Sequence, residues 1–149
     1  MQRPETQHRD SKQRHKNKFQ KEIGLAKDQA SLVFIVFHWG NEYTRLPSAF
    51  QKEAAFLAIE SGADLVLGNH PHWIQPAEVY QGKLIVYSHG NFVFDQPWSP
   101  ETQEGIIGEY RFSPAKLAEA KYFPIVINSL FQPEPAQGLR ARKIIGVMK

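Results

Sequence analysis

The sequence contains no cysteine, which excludes disulfides and thiolate metal sites alike. No stretch approaches the roughly 18 consecutive apolar residues that a membrane-spanning helix needs. The opening segment, MQRPETQHRDSKQRHKNKFQK, has no apolar core of the kind a secretory signal requires. Its basic charges are not interleaved with aromatic rings as in single-strand binders, so no nucleic-acid partner is expected. The charge excess is also small and local. Residues 1–30 hold eight Lys/Arg against four Asp/Glu, whereas the rest holds ten against eleven, so the body of the chain is close to neutral.

What is present is an ordinary globular composition. With 149 residues, 42% of them hydrophobic and 22% charged, the chain is long enough for one domain with a core. Residues 1–16 read as a disordered basic tail. Asn17–Gln29 reads as a helix, with Phe19, Ile23 and Ala26, and Ala30 beyond, on one face. Leu32–Phe37 is a continuous apolar run and predicts a strand buried on both faces. Ser48 opens a helix that runs to Ser61, with Gln51 completing a capping box. Phe50, Ala54, Leu57 and Ala58 form its expected inward face, and Gly62 ends it. Asp64–Leu67 predicts a second strand, parallel to the first across a βαβ unit. Gln75–Tyr80 and Leu84–Ser88 flank a hairpin turn in which Gly82 takes a positive φ. Gly105–Phe112 and Ala120–Asn128 predict two further strands, QPEPAQG a connector, and Arg140–Val147 a last strand. The fold class is α/β, a βαβ unit followed by antiparallel strands.

Ligands in open α/β sheets bind beyond the carboxyl ends of parallel strands. His38 stands at one such end, and Gly68-Asn69-His70-Pro71-His72 at the next. On extended backbone the two-residue spacing of His70 and His72 aims both rings one way. Pro71 stiffens the segment and biases His70 away from helical geometry. Gly68 admits close backbone approach. Three imidazoles on matching strand ends point to a divalent metal, and Glu42, in the loop after His38, can add a carboxylate; the donor types suit zinc, iron or manganese. Asn91, in YSHGNF, is a ligand-binding or turn-capping residue. His89 beside it is either a ligand or a surface histidine, and Glu78 and Glu104 are weaker rim carboxylates. Trp39, Trp73, Phe92 and Phe94 read as core or pocket wall.

These residues carry a family resemblance. HWGNEY, the Pro47-Ser48-x-x-Gln51 pattern, SGADLVLGNHPHWIQPAEVYQGKLIVYSHGNFVFDQ and EGIIGEYRF resemble the C-terminal half of the bacterial poly-gamma-glutamate capsule biosynthesis proteins, the CapA family. The resemblance covers residues 20–147. It implies a partial metallophosphoesterase-like (calcineurin-like) sandwich, with residues 17–149 as the C-terminal half of a metallophosphatase-like domain. It implies a dinuclear site for divalent metal ions (Mn, Fe or Zn), with His38, His70 and His72 as ligands and Glu42 and Asn91 as catalytic residues. Where the family pattern has Leu in YSLGNF, this chain has His89. Nothing before residue 30 resembles the Gly-Asp strand end and Asn-His segment from which the superfamily draws its first ligands. The expectation is therefore a truncated domain with an exposed sheet edge through which it can self-associate. The implied function is a metal-dependent hydrolase component of capsular poly-gamma-glutamate synthesis in the cell envelope, of low activity alone, acting on an anionic polymer or phosphate-containing substrate. The alternative is a non-catalytic module that binds the polymer or a membrane-bound synthase partner.

Overall fold

The computed structural model describes residues 4–114 and 116–149. Helix α1 (Pro4–Gln29) leads to β1 (Phe34–His38), α2 (Ala49–Glu60) and β2 (Leu65–Asn69). A hairpin of β3 (Ile74–Tyr80) and β4 (Lys83–His89) follows, then β5 (Glu104–Ser113), β6 (Lys116–Ile127), β7 (Pro133–Pro135) and α3 (Gly138–Val147). The first four strands form one sheet in the order β1-β2-β4-β3, and the last three form a second, in the order β5-β6-β7. The βαβ expectation holds: β1 and β2 are parallel neighbours, with Phe34 opposite Leu65 and His38 opposite Asn69. Beyond Trp73 the β3–β4 hairpin and the second sheet pair antiparallel as read, whereas β4 also joins the first sheet as a parallel neighbour of β2. At the hairpin turn Gln81 and Gly82 both have positive φ, 49° and 74°, the two-residue geometry that matches strand twist.

Side-chain alternation on β4 divides the core in two. Ile85 and Tyr87 face α1 and α2, where they pack with Ile23, Trp39, Ala55, Ala58 and Ile59. Leu84 and Val86 face the second sheet and α3, where they pack with Ile106, Ile144 and Met148. The result is a layered mixed α/β structure. One buried carboxylate ties its helical layer to its sheet. Asp64 accepts from Lys27 Nζ and Lys83 Nζ, both at 2.6 Å, and from the Val33 amide at 3.0 Å. Burial works to raise its pKa, but the two ammonium groups and the amide outweigh it and hold the carboxyl below its ordinary range.

Four expectations change. The helix before β1 does not start at Asn17 but runs from Pro4 through the stretch expected to be a disordered tail. That stretch lacks an apolar face but is rich in Glu, Gln, Lys and Arg, all good helix formers. Strand β1 is not buried on both faces: it lies at the sheet edge, where Phe34 meets the second sheet at the Phe112 ring, 4.9 Å away, yet Phe34 and Val36 remain 47% and 66% exposed. In α2 the capping box of Ser48 and Gln51 is present, but the buried face is Gln51, Ala55, Ala58 and Ile59, and Phe50 is exposed. The last element is a helix, not a strand. Ala141, Ile144, Ile145 and Met148 fall at i, i+3, i+4 and i+7, and Ile144 is fully buried, so the 3.6-residue period governs.

Candidate metal centre

The parallel register of β1 and β2 places His38 beside the start of the β2–β3 loop. The rings of His38 and His70 are 4.6 Å apart between centroids, and those of His70 and His72 are 6.0 Å apart. Glu42, His70 and His72 can each offer one ligand atom such that all three lie within 4.8 Å of one another. His38 stands next to this trio, against His70, rather than in it. The histidines do not converge by way of extended backbone as the two-residue spacing suggests. His70 has φ 99° and His72 φ 59°, so the loop doubles back through left-handed geometry at both positions. Pro71 keeps His70 out of the helical region, and its carbonyl accepts the Tyr43 amide at 2.8 Å, joining the loop of Glu42 to the loop of the histidines. Gly68 is required just upstream: a β-carbon there would collide with the Tyr87 carbonyl and the Trp39 indole.

The Glu42 loop is anchored from below by a buried pair of amides. Gln51 Nε2 donates to Gln75 Oε1 at 2.8 Å, and Gln75 Nε2 donates to the carbonyls of Thr44 and Leu46 at 3.1 and 3.2 Å. Both glutamines are fully buried. Asn91 is buried as well. Its Nδ2 donates to the Thr102 carbonyl at 2.9 Å and to Gln96 Oε1 at 3.3 Å, which turns Oδ1 toward His72 Nδ1 at 2.8 Å. His72 must therefore carry its proton on Nδ1, leaving the Nε2 lone pair free to ligate. Asn91 orients His72; its contacts are with His72, Gln96 and Thr102.

His89 neither ligates nor faces water. Its Nδ1 points at the Gly68 carbonyl at 3.4 Å, and Nε2 lies 2.7 Å from Tyr110 Oη, so the Tyr110 hydroxyl donates to it and the pair links the two sheets. Burial pushes its pKa down, which keeps the ring neutral. Glu78 accepts from Tyr87 Oη, and Glu104 is buried against Arg140, so neither belongs to the rim of the trio. Trp39 is core, its indole donating to the Tyr87 carbonyl, whereas Phe92 is exposed and Phe94 packs on His72. Tyr43 and Trp98 stand at the site as well, 5.9 Å from His72 and 6.2 Å from Tyr43, without any diagnostic spacing in the sequence. The one signal for them was the density of aromatic residues in loops that flank histidines.

Two imidazoles and one carboxylate, with no thiolate, fit a divalent ion of the zinc, iron or manganese group, and three protein donors leave coordination positions open, as in catalytic rather than structural sites. The structure is thus a layered mixed α/β protein with a candidate His/Glu metal group beyond its parallel strand ends. The family model described as bacterial capsule synthesis protein PGA_cap matches residues 1–96, and the chain belongs to that family. It is 37% identical over 119 residues to the PGA biosynthesis protein CapA of Bacillus subtilis (strain 168), covering 74% of this chain and 31% of that protein. It is 43% identical over 94 residues to the capsule biosynthesis protein CapA of Bacillus anthracis, covering 60% and 23%. A probable polyglutamine synthesis accessory protein of Mycobacterium tuberculosis is 30% identical over 86 residues, covering 58% and 21%. The chain thus spans a third or less of the length of these relatives. Among the described residues no helix is long and apolar enough to cross a membrane.

Proposed function

We propose that this chain supplies metal-ligating residues to a metallophosphatase-like hydrolase of bacterial poly-gamma-glutamate capsule synthesis, working in the cell envelope. The family membership and the capsule and polyglutamate names of the relatives support the process. The observation that carries the chemistry is the Glu42–His70–His72 trio with His72 locked in its ligating tautomer. The helix-backed sheet with ligands at its strand ends supports the calcineurin-like reading, and His38 against His70 supports a second ion position. When bound, a divalent metal supplies an activated water and stabilises charge developing on a phosphoryl or acyl centre. Within that reading His70 and His72 ligate through neutral imidazole, and Glu42 ligates or holds a proton. Asn91 acts by fixing His72. The substrate is phosphate-containing or part of an anionic polymer, and a membrane-bound synthase is the fitting partner.

Calorimetric titration with Mn²⁺ and with Zn²⁺ tests this. Wild type binds, His70→Ala and His72→Ala each weaken binding at least tenfold, and His38→Ala weakens it less or removes a second event. Wild-type binding no tighter than that of a folded His70→Ala/His72→Ala double variant refutes the site.

A further inference from the structure

Helix α2 carries more apolar surface than the fold covers. Its buried face is Gln51, Ala55, Ala58 and Ile59. Phe50, Ala54 and Leu57, at i, i+4 and i+7, make a second apolar stripe to one side of it. Phe50 is 67% exposed, and neither it nor Leu57 packs in either core cluster. The stripe lines a groove of about 750 Å³ between α2 and α1. Phe19 and Phe37, whose rings are 5.9 Å apart, continue the apolar lining. The second sheet packs on the other side of the first, so it does not close this groove. An uncovered apolar groove with polar rims marks an interaction site.

The rims carry opposite charge. Helix α1 contributes His15 and Lys16, and α2 contributes Glu53 and Glu60. Glu60 accepts from the Tyr80 hydroxyl at 2.7 Å, whereas Lys16 and Glu53 form no ion pair among the described residues. That layout selects the occupant. An anionic amphiphile, or a helix with charge of one sign, would meet like charge along one rim. A second copy of the same groove does not. A two-fold axis along the groove lays the α1 rim of each copy on the α2 rim of the other, which brings Lys16 to the partner's Glu53. It also seats Phe50 of each copy against the other's groove, where Ala54, the smallest residue of the stripe, leaves room for a phenyl ring. The contact is isologous, so each favourable pair occurs twice.

We propose that the α1–α2 groove is a homodimer interface, closed by a second copy of this chain with Phe50 as the apolar anchor and Lys16–Glu53 as the reciprocal charge pair. It uses none of the metal-ligating trio and does not depend on the metal reading. Sedimentation velocity and equilibrium on the full chain test it. Wild type shows a reversible monomer–dimer equilibrium below about 100 µM. Val36→Lys removes association through the sheet edge and leaves this dimer in place. Phe50→Asp weakens the dimer at least about thirtyfold, as loss of a central aromatic anchor does. Asp in the first turn of α2 suits the helix dipole, and circular dichroism checks that the variant folds. Lys16→Glu and Glu53→Lys, both at exposed positions, each weaken the dimer about tenfold by setting like charges together, and the double variant recovers wild-type affinity within about threefold. A wild-type chain that stays monomeric throughout overturns the proposal, and so does a dimer that is lost in Val36→Lys or unchanged in Phe50→Asp. Charge reversals that leave the dimer unchanged, or that the double variant does not rescue, overturn it as well.

Discussion

Replacing Asn91 by Leu keeps the side chain's size and removes both of its polar functions. In the native chain His72 Nδ1–H donates to Asn91 Oδ1 at 2.8 Å, and the asparagine is itself aimed by the Thr102 carbonyl and Gln96. With Leu the imidazole loses the bond that selects its tautomer and fixes its rotation, so Nε2 no longer faces the other donors reliably. Loss of such an outer partner costs about 10- to 100-fold in metal affinity, about 1.4–2.7 kcal/mol. Because the site is buried, the unpaired Thr102 carbonyl and His72 N–H add an instability of about 1–3 kcal/mol. Asn91→Asp separates the two effects: it keeps the acceptor for His72 and retains affinity, but sets a carboxylate against the Thr102 carbonyl and loses stability. Manganese and zinc titration calorimetry reads the affinities, urea unfolding the stabilities, and nitrogen-detected NMR of the imidazole the tautomer. A folded Asn91→Leu protein that binds metal within twofold of wild type, with His72 still protonated on Nδ1, would show that the ligand is oriented by something else.

Asp64→Ala should destabilise the fold by about 3 kcal/mol near neutral pH, the low end for breaking a buried ion pair, because Lys27 and Lys83 are each about a third exposed and can turn to water. The carboxyl pKa is lowered on folding, so its contribution is complete above the unfolded value near 3.9 and disappears as pH falls through the folded value. Urea unfolding across pH 2–7 should show the wild-type advantage closing in that acid window and nowhere above it. Gln75→Ala should cost about 2–3 kcal/mol by stranding the Gln51 amide and two loop carbonyls; metal titration should show weaker binding, since the Glu42 loop is freed, with rescue by Gln75→Glu absent because a carboxylate cannot donate to those carbonyls. Val36→Lys, on the exposed face of the edge strand, should reduce any concentration-dependent association seen by sedimentation without changing stability measurably.

Local chemistry was readable from the sequence wherever the determining contacts are close in the chain. Ser48 and Gln51 close a capping box three residues apart, and Gln81-Gly82 makes its own turn. The parallel pairing of β1 and β2 followed from the length and order of the βαβ unit. What failed depended on remote cover. The run Leu32–Phe37 has two apolar faces, but no local pattern says that β1 is an edge strand touched by the second sheet at Phe34 and left with Val36 66% exposed. Ile144, Ile145 and Val147 look like part of a strand until Ala141 and Met148 are seen to share the buried side of a helix. Nothing local marks Gln51 as a core residue, because the partner that satisfies its buried amide, Gln75, lies 24 positions away.

The site shows the same division at finer scale. That His38 and His70 meet follows from strand register, which the sequence implies. How His70 and His72 meet does not, because it runs against backbone preference. Of the five non-glycine residues with positive φ among those described, Tyr43, His70 and His72 are at this site. Such geometry costs of order 1–3 kcal/mol at each bulky position, and it persists because other bonds over-determine it: Tyr43 to Pro71, His72 to Asn91, and the Glu42 loop to Gln75. An unstrained loop could satisfy these backbone groups equally well with its rings turned outward to water. The arrangement chosen instead holds two imidazoles and a carboxylate against one another, at a cost that is offset elsewhere in the fold, and under the proposed function a ligand that binds all three is the physical reason for keeping it.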